Sequence, residues 1–344
     1  MLSEGDLELV HALQLRPRAS WTELGRTLDV DAVTVARRFS RLTDRGEAWV
    51  SVSPGPRLFD HLCVAFVEID CTAGAAAAVS GTLSRHPHTV TIERSADTHR
   101  LLATVATADV AATAHYTLDV LSAVPHITAA RTRIVTHMFT EGGRWQIDAL
   151  DSEQRTRLAP TPDGADTDRA RGRLHITSRD RTLLRLLSQD GRSSYQALAE
   201  ALDTTAYTVR RRIDELTRLG LLRFRCDFAR PLGGWPVAVT FWATAPVKEL
   251  SAIGHALVRL PQVRNCAAVT GNHNLVVQAA LHSVSDVLRL ETRLTDTHPG
   301  LTVTDRTMTL RHDKLLGRIL DPHGRSIGVV PPDVWCAPGT CAPG

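Results

Sequence analysis

The strongest constraint on the fold is an internal repeat, because the chain matches itself when it is shifted by 174 positions. Residues 2–49 align with residues 176–223 without a gap, and weaker matches continue downstream at the same offset. Identical pairs include Asp6/Asp180, Arg18/Arg192, Ser20/Ser194, Leu28/Leu202, Thr34/Thr208, Arg37/Arg211, Arg38/Arg212, Gly46/Gly220, Pro87/Pro261 and Leu101/Leu275. Self-similarity at a fixed offset indicates a repeated structural unit. The 344 residues are therefore predicted to form two copies of one module.

The first part of each copy is predicted to form three helices. In copy one, Ser3, Ser20 and Asp31 are suitable N-caps for helices that end near residues 15, 28 and 45. Gly46 and Gly220 follow the third helix of each copy and favour the left-handed turn that ends a helix. A short helix, a tight turn and a second amphipathic helix form a helix-turn-helix.

A strand-like run follows each of these glycines, AWVSV from Ala48 and LLRFRCDF from Leu221. Runs rich in β-branched and aromatic residues favour strands. We therefore predict a β-hairpin after the third helix of each copy, which would make each unit a winged helix-turn-helix.

The outward face of each third helix carries polar and basic side chains. They are Thr34, Arg37, Arg38 and Arg41 in copy one, and Tyr207, Thr208, Arg210, Arg211 and Arg212 in copy two. A helix in the major groove needs short polar groups near its N-terminus and arginines that contact phosphate or guanine. A solvated charged face has the same composition. Because both copies keep a threonine and an Arg-Arg pair at equivalent positions, we interpret these residues as DNA-binding.

The rest of each copy has the strand–helix–strand–strand–helix–strand order of a ferredoxin-like domain. The predicted elements are Cys63–Ile69, Ala73–Arg85, Thr89–Arg94, Arg100–Ala106, Val110–Ser122 and Thr128–Val135, then Val237–Thr244, Val247–Arg259, Val263–Val269, Asn274–Leu281, Ser285–Thr297 and Val303–Arg311. The strands are apolar enough to need helices on one sheet face and another sheet on the other. The predicted fold class is α+β.

These patterns divide the chain into six predicted segments. Winged helix-turn-helix units occupy residues 1–55 and 174–230, and ferredoxin-like sensing domains occupy residues 60–140 and 235–318. The polar, proline- and glycine-containing stretch Pro160–Gly172 places a linker at 141–173. The proline- and glycine-rich residues 319–344 are expected to form a flexible tail.

Composition narrows the class of protein. No apolar run approaches the ~18 residues of a membrane span, and the first residues lack a signal-peptide pattern, so the expected location is the cytoplasm. The six cysteines lack metal-ligand spacing. No pattern of a nucleophilic triad, phosphate-binding loop or metalloprotease is present. We therefore expect no enzyme activity, no catalytic residues, no metal and no cofactor.

Several segments are similar to the Lrp/AsnC family of leucine- and asparagine-responsive regulators. The matching stretches are D-G-R-x-S-Y-x-x-L-A (Asp190–Ala199), T-V-R-R-R-I-x-x-L (Thr208–Leu216), L-P-x-V (Leu260–Val263), T-G-x-x-x-L (Thr270–Leu275) and P-G-L (Pro299–Leu301) with Lys314. The resemblance implies binding of double-stranded DNA as a dimer, sensing domains paired sheet to sheet, and an amino acid bound near their interface. Two modules in one chain imply an internal pseudo-dimer, and homo-oligomers are also expected.

The resemblance places the effector loop at five residues, which are Thr270, Gly271, Asn272, His273 and Asn274. The acidic residue that the family uses at the last position is an amide here, and copy one has Arg100 there. Because an ammonium group favours a carboxylate partner, copy one is not expected to bind an amino acid in the family's way. Copy two is expected to bind one weakly, or to bind another small metabolite.

Two other functions remain open at this point. Siroheme decarboxylases are enzymes related to this family, and His99, Arg100 and His273 suit a site for tetrapyrrole carboxylates. The retained arginine face and an aromatic content of only 5% argue against this enzyme. The third interpretation is an interaction protein that senses a metabolite without binding DNA, which a DNA mobility shift would exclude.

Overall fold

A computed structural model describes residues 1–97, 99–158 and 176–340. The helices are α1 (Glu4–Leu15), α2 (Trp21–Leu28), α3 (Ala32–Asp44), α4 (Pro56–Phe59), α5 (Ala76–Ser84), α6 (Val110–His115), α7 (Ser152–Arg157), α8 (Ser178–Gln189), α9 (Tyr195–Ala201), α10 (Ala206–Arg218), α11 (Leu250–Leu257) and α12 (Ser285–Thr297). The strands are β1 (Ala48–Pro54), β2 (Cys63–Cys71), β3 (Thr89–Ser95), β4 (Arg100–Thr107), β5 (Ile127–Thr140), β6 (Leu222–Phe228), β7 (Val237–Thr244), β8 (Val263–Val269), β9 (Leu275–Leu281), β10 (Thr302–Leu315), β11 (Arg318–Leu320) and β12 (Ser326–Val329). The predicted α+β class is confirmed.

Local signals set the ends of the helix-turn-helix helices. Ser3 and Asp6 form a reciprocal capping box at the start of α1, and Thr177 and Asp180 form the same box at α8. The Asp31 carboxylate accepts two backbone N–H bonds at the start of α3. The glycine after each third helix has a positive φ, which is +64° at position 46 and +66° at position 220. The caps at Ser3 and Asp31 and the two glycines are where the sequence predicts them.

The two wing strands pair with each other. β1 lies antiparallel to β6, from Ala48 opposite Phe228 to Pro54 opposite Leu222. The prediction of a hairpin within each copy is wrong, because the partner of each strand comes from the other copy. One shared two-stranded sheet therefore joins the two helix-turn-helix units.

Two equivalent arginines exchange contacts across this junction. The Arg18 guanidinium donates to the Gly191 carbonyl at 2.6 Å and lies over the Tyr195 ring at 4.7 Å. Arg192 donates to the Pro17 carbonyl at 2.6 Å and lies 3.9 Å from the centroid of the Trp21 ring. The two units are thus related by an approximate two-fold exchange, as in an isologous dimer interface.

The two ferredoxin-like sheets close into one ring of eight antiparallel strands, in the order β10, β3, β4, β2, β5, β8, β9, β7 and back to β10. The first part of β5 pairs with β2 of its own copy, and its last part pairs with β8 of the other copy. β10 pairs in the same way with β7 and then with β3. Both strands extend past their predicted ends because the extensions pair with the other copy.

Side chains from the two sheets meet inside the ring. Phe66 packs edge-on against Trp242, with ring centroids 6.2 Å apart. Leu102, Ala267 and Val276 are buried in the same cluster. Helices cover the outer faces, where α5 and α11 pack against β3 and β8. This is the arrangement that the apolar strands require.

Parts of the predicted linker and tail are ordered. Trp145, Ile147, Leu150 and Leu158 are buried against the first helix-turn-helix unit, so residues 141–158 do not behave as a linker. The stretch Pro160–Gly172 lies outside the described residues. In the predicted tail, β11 and β12 extend the sheet from β10, and Val334 is buried. Apolar residues between the prolines account for this packing, whereas residues 341–344 lie outside the described part.

Candidate nucleic-acid interface and effector loop

Buried apolar side chains set the orientation of α3 and α10. Val35, Phe39 and Leu42 pack inward from α3, as Val209, Ile213 and Leu216 do from α10. This i, i+4, i+7 spacing turns the opposite face of each helix toward solvent. The predicted DNA-binding residues must therefore be judged by which of them reach that outer face.

The first arginine of each pair reaches solvent. Arg37 and Arg211 occupy equivalent positions and are both exposed. Within the described residues, neither guanidinium has a hydrogen bond or an ion pair with the protein. Both side chains are free to extend toward an external anion.

In copy one, the second arginine of the pair lies against α1. Arg38 donates to the Gly5 carbonyl at 2.9 Å and lies 4.0 Å from the Asp6 carboxylate. Arg41 is ion-paired with the same buried carboxylate. These contacts fasten α3 to the start of α1, so Arg38 is not freely presented as the sequence predicts.

In copy two, Arg212 is held more firmly. Its guanidinium donates to both Asp180 oxygens, at 2.8 and 2.7 Å, and to Glu215 at 2.8 Å. Burial alone would raise the pKa of Asp180, but the hydrogen bonds from Arg212 and Thr177 lower it below its usual value. Hydrogen bonding to Asp180 raises the pKa of Arg212. Arg212 therefore connects α10 to α8, and its predicted contact with DNA stays a prediction.

The remaining predicted residues lie on the open face. Thr34 is exposed near the start of α3, and Tyr207 is 73% exposed near the start of α10. Thr208 is half-buried, with its hydroxyl 2.9 Å from that of the cap residue Thr205. Arg210 lies 4.0 Å from Asp214 on an exposed surface, where such a pair is weak. These residues remain predicted DNA contacts.

The effector loop joins β8 to β9 and contacts copy one. Gly271 has φ of +106°, a conformation that favours glycine. The Thr270 backbone N–H donates to the Ile134 carbonyl on β5, and its hydroxyl accepts from the Ile134 N–H, both at 2.9 Å. Asn272 is exposed. The loop is therefore part of the junction between the two sensing domains.

The side chains at the end of the loop already have protein partners. The Asn274 amide donates to the Ala245 carbonyl at 2.8 Å and accepts from the Ala245 N–H at 2.9 Å. His273 Nδ1 lies 2.7 Å from the Thr304 hydroxyl, and its ring lies beside Trp242. Asn274 is thus hydrogen-bonded to the residue that follows β7. This structural role accounts for an amide at position 274 even if no effector binds there.

The equivalent residue of copy one is also engaged. Arg100 donates to Asp70 at 2.9 Å and lies 3.2 Å from Asp97. Burial of Asp70 acts to raise its pKa, but Arg100 and Arg131 lower it below its usual value. Arg100 is therefore neutralised by its own strand pair. Asp70 lies 30 positions away, and the sequence analysis did not identify it.

A buried charged cluster below the wings was also missed. Glu141 accepts from Arg223 at 2.9 Å and from Arg225 at 3.1 Å, while Arg225 donates to Asp227 at 2.6 Å. All four side chains are buried. The run R-F-R-C-D in β6 could not reveal this cluster, because charged residues that alternate with apolar ones also fit a strand with one solvated face.

Two further properties apply to the described residues. Among them, no group of three or more His, Cys, Asp or Glu side chains is arranged to hold a metal ion. None of their helices has the length and apolar character that crossing a bilayer requires.

Comparison with known proteins matches both helix-turn-helix units. The AsnC-type helix-turn-helix domain matches residues 2–43 and 176–217. An uncharacterized HTH-type transcriptional regulator of Pyrococcus abyssi is 29% identical over 111 residues, which are 32% of this chain and 70% of that protein. One from Pyrococcus horikoshii is 27% identical over 111 residues, with the same coverage.

A solved structure matches nearly the whole chain. The siroheme decarboxylase NirDL, in complex with an iron-uroporphyrin III analogue, has a TM-score of 0.57 and 10% sequence identity. The match covers 91% of this chain and 93% of that one. At this identity, the likeness concerns the two-module fold alone.

The fold and the domain matches define a tandem helix-turn-helix protein. The chain carries two AsnC-type helix-turn-helix domains, and the predicted resemblance to the Lrp/AsnC regulators is confirmed.

Proposed function

We propose that the chain is a DNA-binding transcription regulator of the Lrp/AsnC type that acts in the cytoplasm. The observation that carries the proposal is the equivalent, exposed and unpaired state of Arg37 and Arg211 among the described residues. Unpaired arginines beside exposed threonine and tyrosine suit contacts to phosphates and base edges. One chain supplies both recognition helices, which ordinary helix-turn-helix dimers take from two subunits.

The proposed effector is an amino acid or another small metabolite that binds at the loop from Thr270 to Asn274. Thr270, Gly271 and Asn272 of this loop are exposed, and His273 and Asn274 are half-buried. Because Asn274 is hydrogen-bonded at both ends of its amide, it supports the loop rather than the ligand. Association of several chains into a homo-oligomer is part of the proposal.

DNA affinity and its salt dependence test the proposal. DNA fragments recovered by a genome-wide pull-down are labelled, and binding is followed by fluorescence anisotropy from low to high salt. We expect Arg37→Ala combined with Arg211→Ala to weaken binding and to lower the salt slope by about one for each lost phosphate contact.

The matched control is Arg259→Ala, which removes an exposed arginine from a sensing domain. It should leave affinity nearly unchanged. If the double variant and the control bind as the wild type does, α3 and α10 are not the recognition helices. If the wild type selects no fragment, the interaction-protein interpretation takes its place.

A siroheme decarboxylase-like enzyme is the second candidate, because the fold of NirDL matches both modules. The cavity between the sheets and the wings has a volume of about 140 Å³, whereas sites for drug-sized ligands measure ≈ 300–1,000 Å³. A tetrapyrrole would require this interior to open. Addition of an iron-uroporphyrin III analogue should leave its Soret absorbance unchanged, and a saturable shift would instead support the enzyme.

A further inference from the structure

A cavity lies between the sheet ring and the shared wing sheet. Its wall includes Ser53 from β1 and Arg225 from β6, together with residues of β2, β3, β8 and β9. The ordered C-terminal segment adds Val334 and Trp335 to the same wall. Residues of both copies and both wing strands therefore line one cavity.

Positive charge exceeds negative charge around this space. The buried or half-buried cluster holds four arginines and three carboxylates, which are Arg223, Arg225, Arg230, Arg264, Glu93, Glu141 and Asp227. The neighbouring His312 carries no negative charge, so it does not offset the excess of arginines. A buried charge without a partner is strongly unfavourable, so the excess favours an anion in the cavity.

The carboxylates are occupied by other partners. Glu93 accepts from Gln278 at 2.8 Å and lies 2.9 Å from His312. Asp227 binds Arg225 directly, and its distance to Arg264 is 3.7 Å. Among the described residues, no carboxylate lies within ion-pair distance of Arg230. Within this cluster, Arg230 and Arg264 are therefore the two cations that the described residues neutralise incompletely.

Two buried donors on the cavity wall lack hydrogen bonds. Arg264 Nε and Ser53 Oγ have no partner among the described residues, although the residues are only 6% and 4% exposed. An unpaired buried polar group destabilises the fold. Desolvation lowers the pKa of Arg264 well below its usual value, and the neighbouring Arg230 lowers it further. An acceptor bearing negative charge would relieve both defects.

Another part of the wall is apolar. Val64, Val90, Ala106 and Val334 form one buried cluster there, with Trp335 packed against it. The cavity volume is about 140 Å³, and an engineered apolar cavity of about 150 Å³ holds benzene. The space thus suits a ring or a short branched chain attached to an anionic group.

We propose that this cavity binds an organic carboxylate of about the size of benzoate. Its carboxylate lies against Arg264 and Arg230, and its apolar body packs among Val64, Val90 and Val334. The site is separate from the effector loop and from the outer faces of α3 and α10.

Calorimetric titration of the full chain with benzoate and with benzyl alcohol tests the proposal. The two probes share a ring and differ in charge. We expect benzoate to bind at one site per chain, at least 10-fold more tightly than benzyl alcohol. Absence of benzoate binding at millimolar concentration, or equal affinity for the two probes, would overturn the proposal.

Substitutions at the cavity wall test where the carboxylate of benzoate binds. Arg264→Gln should reduce benzoate affinity about 10-fold or more, whereas the control Arg259→Gln removes an exposed arginine and should not change it. If Arg264→Gln does not fold, Arg230→Gln and Ser53→Ala provide the same test and disturb the buried cluster less. Unchanged benzoate affinity in the folded cavity variants contradicts the site. DNA is absent from this titration, so its result is independent of the proposed regulatory function.

Discussion

At the scale of single residues, Asp180 is 3% exposed beneath Arg212 and accepts two hydrogen bonds from that guanidinium. The neighbouring Arg211 is exposed and has no partner among the described residues. Adjacent arginines on one helix therefore have different roles. One fixes α10 to α8, and the other is available to bind DNA.

This division predicts unequal effects on stability. Arg212→Ala leaves a buried carboxylate without its cation and should lower the free energy of unfolding by about 2 kcal/mol, less than for a fully buried pair because Arg212 is partly exposed. Arg211→Ala should change it by less than about 0.5 kcal/mol. Urea unfolding followed by tryptophan fluorescence measures both values, and equal stability of the two variants would contradict the assignment.

The sequence predicts the local contacts of single residues but not their distant partners. N-caps at Ser3, Ser20 and Asp31 can be predicted because a cap acts on residues within the same turn. The partner of Arg212 lies 32 positions away and requires the packed fold. The identity of Asp6 and Asp180 between the copies was the available hint, since both begin a first helix beneath a third-helix arginine.

The burial of Lys314 predicts that the free energy of unfolding depends on pH. Its side chain is fully buried, and its ammonium donates to the His86 carbonyl at 2.8 Å. Desolvation by burial lowers its pKa from 10.5 to about 7. Between these values the unfolded chain binds a proton that the folded protein does not, so the free energy of unfolding should rise with pH.

From pH 7 to pH 9, the rise due to Lys314 should be about 2 kcal/mol. Chemical denaturation at several pH values measures this rise in the free energy of unfolding. Lys314→Met is the matched variant, because methionine has a side chain of similar length and no titrating group. The difference between wild type and variant isolates Lys314 from the cysteines, which also titrate near pH 9 when unfolded. Parallel pH profiles would show that Lys314 is not the source.

At the scale of elements, the two helix-turn-helix units are joined by reciprocal contacts. β1 pairs with β6, and Arg18 and Arg192 each donate to backbone carbonyls of the opposite unit. Arg192 donates to two carbonyls of the first unit, those of Pro17 and Ala19. The relative placement of α3 and α10 therefore depends on these elements.

Removal of one arginine should loosen this junction. Arg192→Ala deletes two charge-assisted hydrogen bonds and the stacking on Trp21, and should lower the free energy of unfolding by roughly 2 kcal/mol. Arg26→Ala, on the solvent-facing end of α2, is the control and should have little effect. Thermal unfolding measures the change, and equal midpoints for the two variants would argue against the reciprocal contact.

Element types could be predicted more completely than their partners. The strand–helix order of both sensing domains follows from periodicity, and α12 begins and ends where the sequence predicts. The wing strands and the extensions of β5 and β10 pair between copies. A pattern within one copy does not specify such partners, so the predicted hairpins were wrong and both long strands were predicted too short.

At the scale of the whole molecule, the repeat produces one closed assembly within a single chain. The sheet ring pairs both edge strands of each ferredoxin-like domain with the other copy, because β3 pairs with β10 and β5 pairs with β8. Residues 141–158 and the ordered part of the C-terminal segment pack onto this assembly. The cavity forms between the two copies. The sequence pattern of one module therefore could not predict it.

The most direct test of the account is a hydroxyl-radical footprint of the full chain on a selected DNA fragment. Wild-type protein is predicted to protect two neighbouring segments, one for each recognition helix. Arg37→Ala should weaken protection of one segment, and Arg211→Ala should weaken the other. Identical footprints for the wild type and both variants would contradict the claim that one chain binds DNA through both of its helix-turn-helix units.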